Sequence, residues 1–124
     1  MDVFCELMDL TIAELGDDLG PSKIVFLRQP TAGLEAFVVV DNVACGPAIG
    51  GIRMAPDVTV NEVIRLARAM TLKNAAAGLP HGGGKAGIVG DPSLPSAQKE
   101  MLVRAFAQSI RDTHNRPVCA FWRK

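Results

Sequence analysis

Apolar positions change their period several times along the chain. In VFCELMDLTIAEL (residues 3–15), Val3, Phe4, Leu7, Met8, Leu10 and Leu15 recur at a mostly helical spacing. Gly16 and the Gly20-Pro21 pair end it, which predicts a first amphipathic helix. KIVFLRQ (residues 23–29) and LEAFVVVDNV (residues 34–43) are β-branched and aromatic runs separated by Pro30 and Gly33, so they predict two neighbouring strands joined as a hairpin. ACGPAIGGIRMAPD (residues 44–57) is rich in small residues and reads as a loop. The helical period returns at Thr59 and Glu62, whose spacing is that of a capping box, each side chain placed to satisfy an orphaned N–H of the first turn. Val63, Ile64, Ala67 and Met70 then line one face, and Gly78 is placed to take the left-handed closing turn, which predicts a helix from about 60 to about 77. A short strand in AGIVGD (residues 86–91), a turn at DPSLPS and a last helix from about 95 to about 113 follow, with Leu102, Val103, Phe106 and Ile110 on its apolar face. Strands interleaved with helices in this way predict an α/β domain, a single layered unit with a mixed sheet flanked by helices.

Composition narrows the class. The 124 residues suffice for one domain and one core, and 48% hydrophobic with 21% charged residues is a globular composition. Thirteen basic and thirteen acidic side chains balance, and no basic run occurs, so neither nucleic acid nor an anionic membrane surface is expected as a partner. The apolar run at residues 36–40 is far too short to cross a bilayer, and Met1-Asp2 lacks the basic start of a signal peptide, so a cytoplasmic protein is expected. Cys5, Cys45 and Cys119 are odd in number and have no paired spacing, which points to ordinary thiols and to no metal site. Residues 1–112 carry the periodic pattern and are expected to form the domain. Residues 113–124 contain Pro117, Phe121 and Trp122 without periodic support and are expected to be a poorly ordered tail.

The candidate chemistry lies in LPHGGGKAGI, residues 79–88. A phosphate loop of the form G-x-x-x-x-G-K-[ST] needs a glycine where this chain has Leu79 and a hydroxyl where it has Ala86, so that reading fails twice. Gly82, Gly84 and Gly87 satisfy G-x-G-x-x-G by letter, but that fingerprint follows a strand and opens a helix, whereas here a helix precedes and a strand follows. What remains is Lys85 on a backbone bare enough for close approach, with Lys73 in the last turn of the preceding helix, within reach if the chain folds back at Gly78-Leu79-Pro80. Two ammonium groups held together in a partly desolvated pocket repel, which makes one usable as a base while the other holds a carboxylate. The competing reading is a lysine at a helix C-terminus beside a solvated loop lysine. His81 reads as a turn residue facing solvent or the backbone more than as a ligand contact, and Arg53 as support for its loop through a carboxylate partner.

GPAIGGIRM (residues 46–54), RLARAMTLKNAAAGL (residues 65–79) and PHGGGKAGI (residues 80–88), in this order and spacing, resemble the N-terminal substrate domain of the glutamate/leucine/phenylalanine/valine dehydrogenases. The likeness continues through GDPSLPSAQKEMLVRAFAQSI and spans roughly residues 24–112. It implies oxidative deamination of an L-amino acid to a 2-oxo acid and ammonia, with hydride passed to NAD or NADP. By the same resemblance Lys73 would bind the substrate α-carboxylate and Lys85 would be the catalytic lysine that activates water. Gly50 and Gly51 would line the substrate cleft, and Met70 would form a pocket wall. The glutamate enzymes have a lysine immediately before the Gly-Gly pair, facing the substrate's side-chain carboxylate. Ile49 stands there in this chain and implies an apolar amino acid, because a buried carboxylate left unpaired costs several kcal/mol. A homo-oligomer is implied as well.

After Ile110 the likeness stops. Neither the family's catalytic aspartate nor its Rossmann domain is recognisable, and Asp112 is not at a matching position. The expectation is therefore a fragment or a truncated, possibly frame-shifted chain that binds no dinucleotide by itself and is catalytically incomplete. The alternative is a non-catalytic amino-acid-binding or assembly module with the same fold.

Overall fold

The computed structural model describes residues 12–111. Five strands, β1 (Lys23–Gln29), β2 (Leu34–Asn42), β3 (Ala48–Ile49), β4 (Ile52–Ala55) and β5 (Gly82–Val89), form one sheet with helices α1 (Val60–Ala76) and α2 (Ser96–Arg111). β1 and β2 make the antiparallel hairpin expected from the pattern, turning through Pro30–Ala32 with Gly33 in the left-handed region (φ 68°). β2 pairs antiparallel with β5, and β3 and β4 pair parallel with the other side of β5, so the sheet is mixed.

The two faces of the sheet are filled separately. On β2 the even positions Leu34, Ala36, Val38 and Val40 pack with Ala86, Ile88, Leu102, Ala105 and Phe106 under α2. The odd positions Phe37 and Val39 pack with Val58, Val60, Val63 and Ala67 under α1. The continuous apolar run of β2 thus reflects burial on both sides, since successive side chains of a strand point to opposite faces. No helix among the described residues is long and apolar enough to cross a membrane.

The C-terminal end of α1 forms as the sequence predicts, and at the N-terminal end the Thr59 half of the expected capping box forms while Glu62 turns to another partner. Thr59 Oγ1 accepts the Glu62 N–H at 3.2 Å, while the Glu62 carboxylate takes Arg53 Nε on β4 at 2.7 Å. At the other end Gly78 (φ 67°) lets its own N–H reach the Ala75 carbonyl and the Leu79 N–H reach that of Asn74, a Schellman closure.

Three expectations are corrected. The strand predicted from residue 86 begins at Gly82, so the three glycines belong to a strand in the middle of the sheet and are not a loop leading into one. Glycine is a poor strand former, but here its missing Cβ makes room. A Cβ on Gly83 would overlap the backbone of Thr71 in α1, and one on Gly87 would meet Phe37 and Val63 at 2.7 and 2.8 Å. The stretch read as a loop at residues 44–57 contains β3 and β4, which are too short for a period-two pattern to register. On α2, Val103 is exposed and Ala105 is buried in its place, because the helix meets the sheet along Leu102, Ala105 and Phe106. Of the helix predicted over residues 3–15, Ile12–Leu15 form a 3-10 turn and the rest lies outside the described residues, as does the tail from residue 113.

Candidate functional site

β3 and β4 hold one continuous register against β5. Ala48 and Ile49 pair with Gly82 and Gly83, and Ile52 to Ala55 pair with Ala86 to Val89 at the same offset. Gly50 and Gly51 fall in the gap, opposite Gly84 and Lys85. A Cβ on Gly50 would run into the Gly84 carbonyl, and one on Gly51 would stand 3.2 Å from Lys85 Nζ. The Gly51 carbonyl still accepts the Ala86 N–H at 3.0 Å. The Gly-Gly pair thus brings an edge of backbone against β5 and puts no Cβ beside the Lys85 amine. Because parallel partners share a face, Ile49 and Gly51 lie on the same side of the sheet as Gly83 and Lys85, the side that α1 covers.

Lys85 is half-buried and, with Ile52, Arg53, Met54, Glu62 and Leu66, lines an open pocket of about 460 Å³. Lys73 is exposed in the last turn of α1. At 3.6 residues per turn it lies on the same stripe of the helix as Glu62 and Leu66, about 10 Å farther along the axis from Leu66. Met70 is half-buried between that stripe and the sheet-facing residues Val63 and Ala67. The structure therefore brings Lys85, Gly50 and Gly51 into contact and sets Ile49 on the same sheet face. Lys73 and Met70 stand on the α1 flank above, and neither lines the pocket that contains Lys85.

A dinucleotide does not fit these glycines. The spaces over Gly82 and Gly87 are filled by the Asn42 backbone and by Phe37 and Val63, and the strand runs into a turn at residues 90–95 instead of opening a helix at a free N-terminus. His81 is half-buried, with Nδ1 enclosed and without a hydrogen-bond partner in the structure. Arg53 finds the carboxylate partner that its position suggested, Glu62.

Sequence reading missed a polar cluster on the opposite flank of α1. Asp41, fully buried at the end of β2, accepts Arg68 Nε at 2.7 Å, Arg68 Nη2 at 3.2 Å and Thr71 Oγ1 at 2.7 Å. The rest of the Arg68 guanidinium makes two bonds to Asp17, at 2.6 and 2.7 Å. Hydrogen bonds from Arg68, and then from the Leu19 N–H, hold the Asp17 carboxyl well below the usual carboxylate range. The one available signal was an aspartate closing the apolar run VVVD, since a charge is rarely buried unless it is paired.

Comparison with known proteins agrees with this architecture. A family model described as the Glu/Leu/Phe/Val dehydrogenase dimerisation domain matches residues 21–119. Valine dehydrogenase of Streptomyces virginiae is 40% identical over 108 residues, covering 84% of this chain and 30% of its own length. Phenylalanine dehydrogenase of Lysinibacillus sphaericus is 41% identical over 98 residues, covering 76% of this chain and 25% of its own. Among solved structures, the Leu-bound hetero-hexameric glutamate dehydrogenase of Thermus thermophilus superposes with a TM-score of 0.66 at 36% identity, over 73% of this chain and 24% of that one. The chain thus spans under a third of the length of each of these relatives.

Proposed function

Because this chain belongs to the Glu/Leu/Phe/Val dehydrogenase family through its dimerisation domain, we propose that it is the amino-acid-binding part of an NAD(P)-dependent dehydrogenase. The reaction is the interconversion of an L-amino acid with its 2-oxo acid and ammonia. The observation that carries the reading is the Lys85 amine standing in an open pocket beside Gly51, whose missing Cβ leaves the backbone edge open to close approach.

In this reading Lys85 moves the proton of the attacking water, and Lys73, a flexible cation on the flank above, holds the α-carboxylate. Gly50 and Gly51 line the cleft, and Met70, outside the pocket around Lys85, bounds it from the α1 flank, where the substrate extends toward Lys73. Ile49 offers the substrate side chain an apolar surface without counter-charge, which favours an apolar amino acid over glutamate. The dinucleotide is held outside residues 12–111, and the intact enzyme is a homo-oligomer.

The test joins residues 1–112 in cis to everything that follows the matched segment in the valine dehydrogenase relative, the nucleotide-binding domain and the remainder of its substrate domain included, and follows NADH or NADPH oxidation with ammonia and branched-chain 2-oxo acids. Ammonia-dependent turnover is expected, reduced on the order of a hundredfold or more by Lys85→Ala. Lys73→Ala should act mainly on KM. A folded fusion without turnover would overturn the enzymatic reading, and saturable oxo-acid binding by that silent fusion would then favour a non-catalytic binding module.

A further inference from the structure

The register between β2 and β5 slips by one residue between Val40 and Asn42, so Asp41 is the extra residue of a β-bulge. A bulge re-aims the side chain it carries. Here it directs a fully buried carboxylate onto α1, where Arg68 and Thr71 both donate to it. The Thr71 backbone also lies directly against Gly83, two residues before Lys85. Lys73 follows Thr71 by two residues.

The helix is therefore tied to β2 on one flank and presents Glu62, Leu66 and Lys73 on the other. Glycine at position 83 adds no side chain between helix and strand, and the bond from the buried face of the helix, Asn74 Nδ2 to the Gly82 carbonyl at 2.8 Å, sits near the middle of that face and serves as a pivot about which the Asp41 flank sets the roll. We infer that Asp41 is a positioning residue: through Arg68 and Thr71 it sets the roll of α1 about its own axis, and so the placement of Lys73 relative to Lys85. Loss of the Asp41 to Thr71 bond lets the helix turn while its apolar face stays buried. A long side chain on the far flank then swings furthest. The consequence for carboxylate binding rests on the function proposed above, whereas the geometry itself does not.

The full chain carries the test. Relative acylation rates of Lys73 and Lys85 by a small amine reagent, read by mass spectrometry, report the placement of the two amines directly. Binding of 4-methyl-2-oxopentanoate by calorimetry reports its consequence. Asp41→Asn and the near-isosteric Thr71→Val should each shift the Lys73 to Lys85 rate ratio several-fold and weaken oxo-acid binding about tenfold, as small misplacements of binding groups do. Thr71→Ser, which keeps the hydroxyl, should behave as the wild type. Thr59→Ala, which loosens the start of α1 without touching this tie, should lower the thermal midpoint and leave the ratio unchanged. Thr71→Val covers the case in which Asp41→Asn does not fold. A wild-type ratio in Thr71→Val, or an equal shift in Thr59→Ala, overturns the proposal. If no variant, the wild type included, binds the oxo acid, the substrate-site reading falls, and the rate ratio still decides whether Asp41 positions the helix.

Discussion

Lys73 and Lys85 could be nominated from the sequence because the proposed chemistry would need an amine, and a lysine directly after a glycine run is conspicuous as letters. Asp41 and Arg68 could not, although the Asp41 carboxylate is fully buried and meets Arg68 Nε at 2.7 Å, because they are joined across 27 positions of chain by a bulge that no local pattern announces. Asp17 is the exposed end of that network and gives it a pH dependence. Its carboxyl pKa in the folded chain lies below the ordinary value of 3.8, with the Arg68 hydrogen bond as the largest cause. A group whose folded pKa is depressed contributes stability above its unfolded pKa and loses that contribution as pH falls below it. The thermal midpoint of the wild type should therefore exceed that of Asp17→Asn by a constant margin at neutral and mildly acidic pH. The margin should narrow below about pH 4. Melting curves of the two proteins across that range provide the check, and a margin unchanged down to pH 3 would contradict the assignment.

At the scale of elements, the β1–β2 hairpin and both ends of α1 could be read in advance because turn and cap residues act on their neighbours in sequence. The central strand could not. Its glycines oppose strand formation locally and are accepted because α1 must come close enough to touch the strand backbone at Gly83. Gly83→Ala should therefore be expensive, since the new methyl group overlaps the Thr71 backbone, which cannot rotate away. A cost of about 2–3 kcal/mol or more is expected, as for other overpacked cores. Gly33→Ala is the contrast: its Cβ would meet nothing within 4 Å, and only the left-handed φ of 68° stands against it, at about 1–2 kcal/mol. Thermal or urea unfolding of the two variants would measure the difference. Equal losses would mean that backbone conformation, and not the helix-to-strand approach, decides the glycine at position 83.

For the whole molecule, the apolar residues Val43, Leu72, Leu79, Met101 and Val103 remain exposed on the isolated chain. In a chain matched by a dimerisation-domain model they are candidates for contact between copies. Sedimentation velocity of this chain at micromolar concentrations should show a dimer or larger assembly, and a monomer at every concentration tested would count against the proposed homo-oligomer. The sequence by itself determined the α/β class, the hairpin, the helix ends, the family and the residue types of the candidate chemistry, because each of these follows from short-range periodicity, capping or motif spacing. Only the tertiary structure decided that the glycine run is a central strand, that the Gly-Gly pair stands beside Lys85, and that a bulged aspartate ties the helix that carries Lys73. Those facts depend on close approach between segments tens of residues apart, where a missing Cβ or a buried charge has no meaning until its neighbour is known.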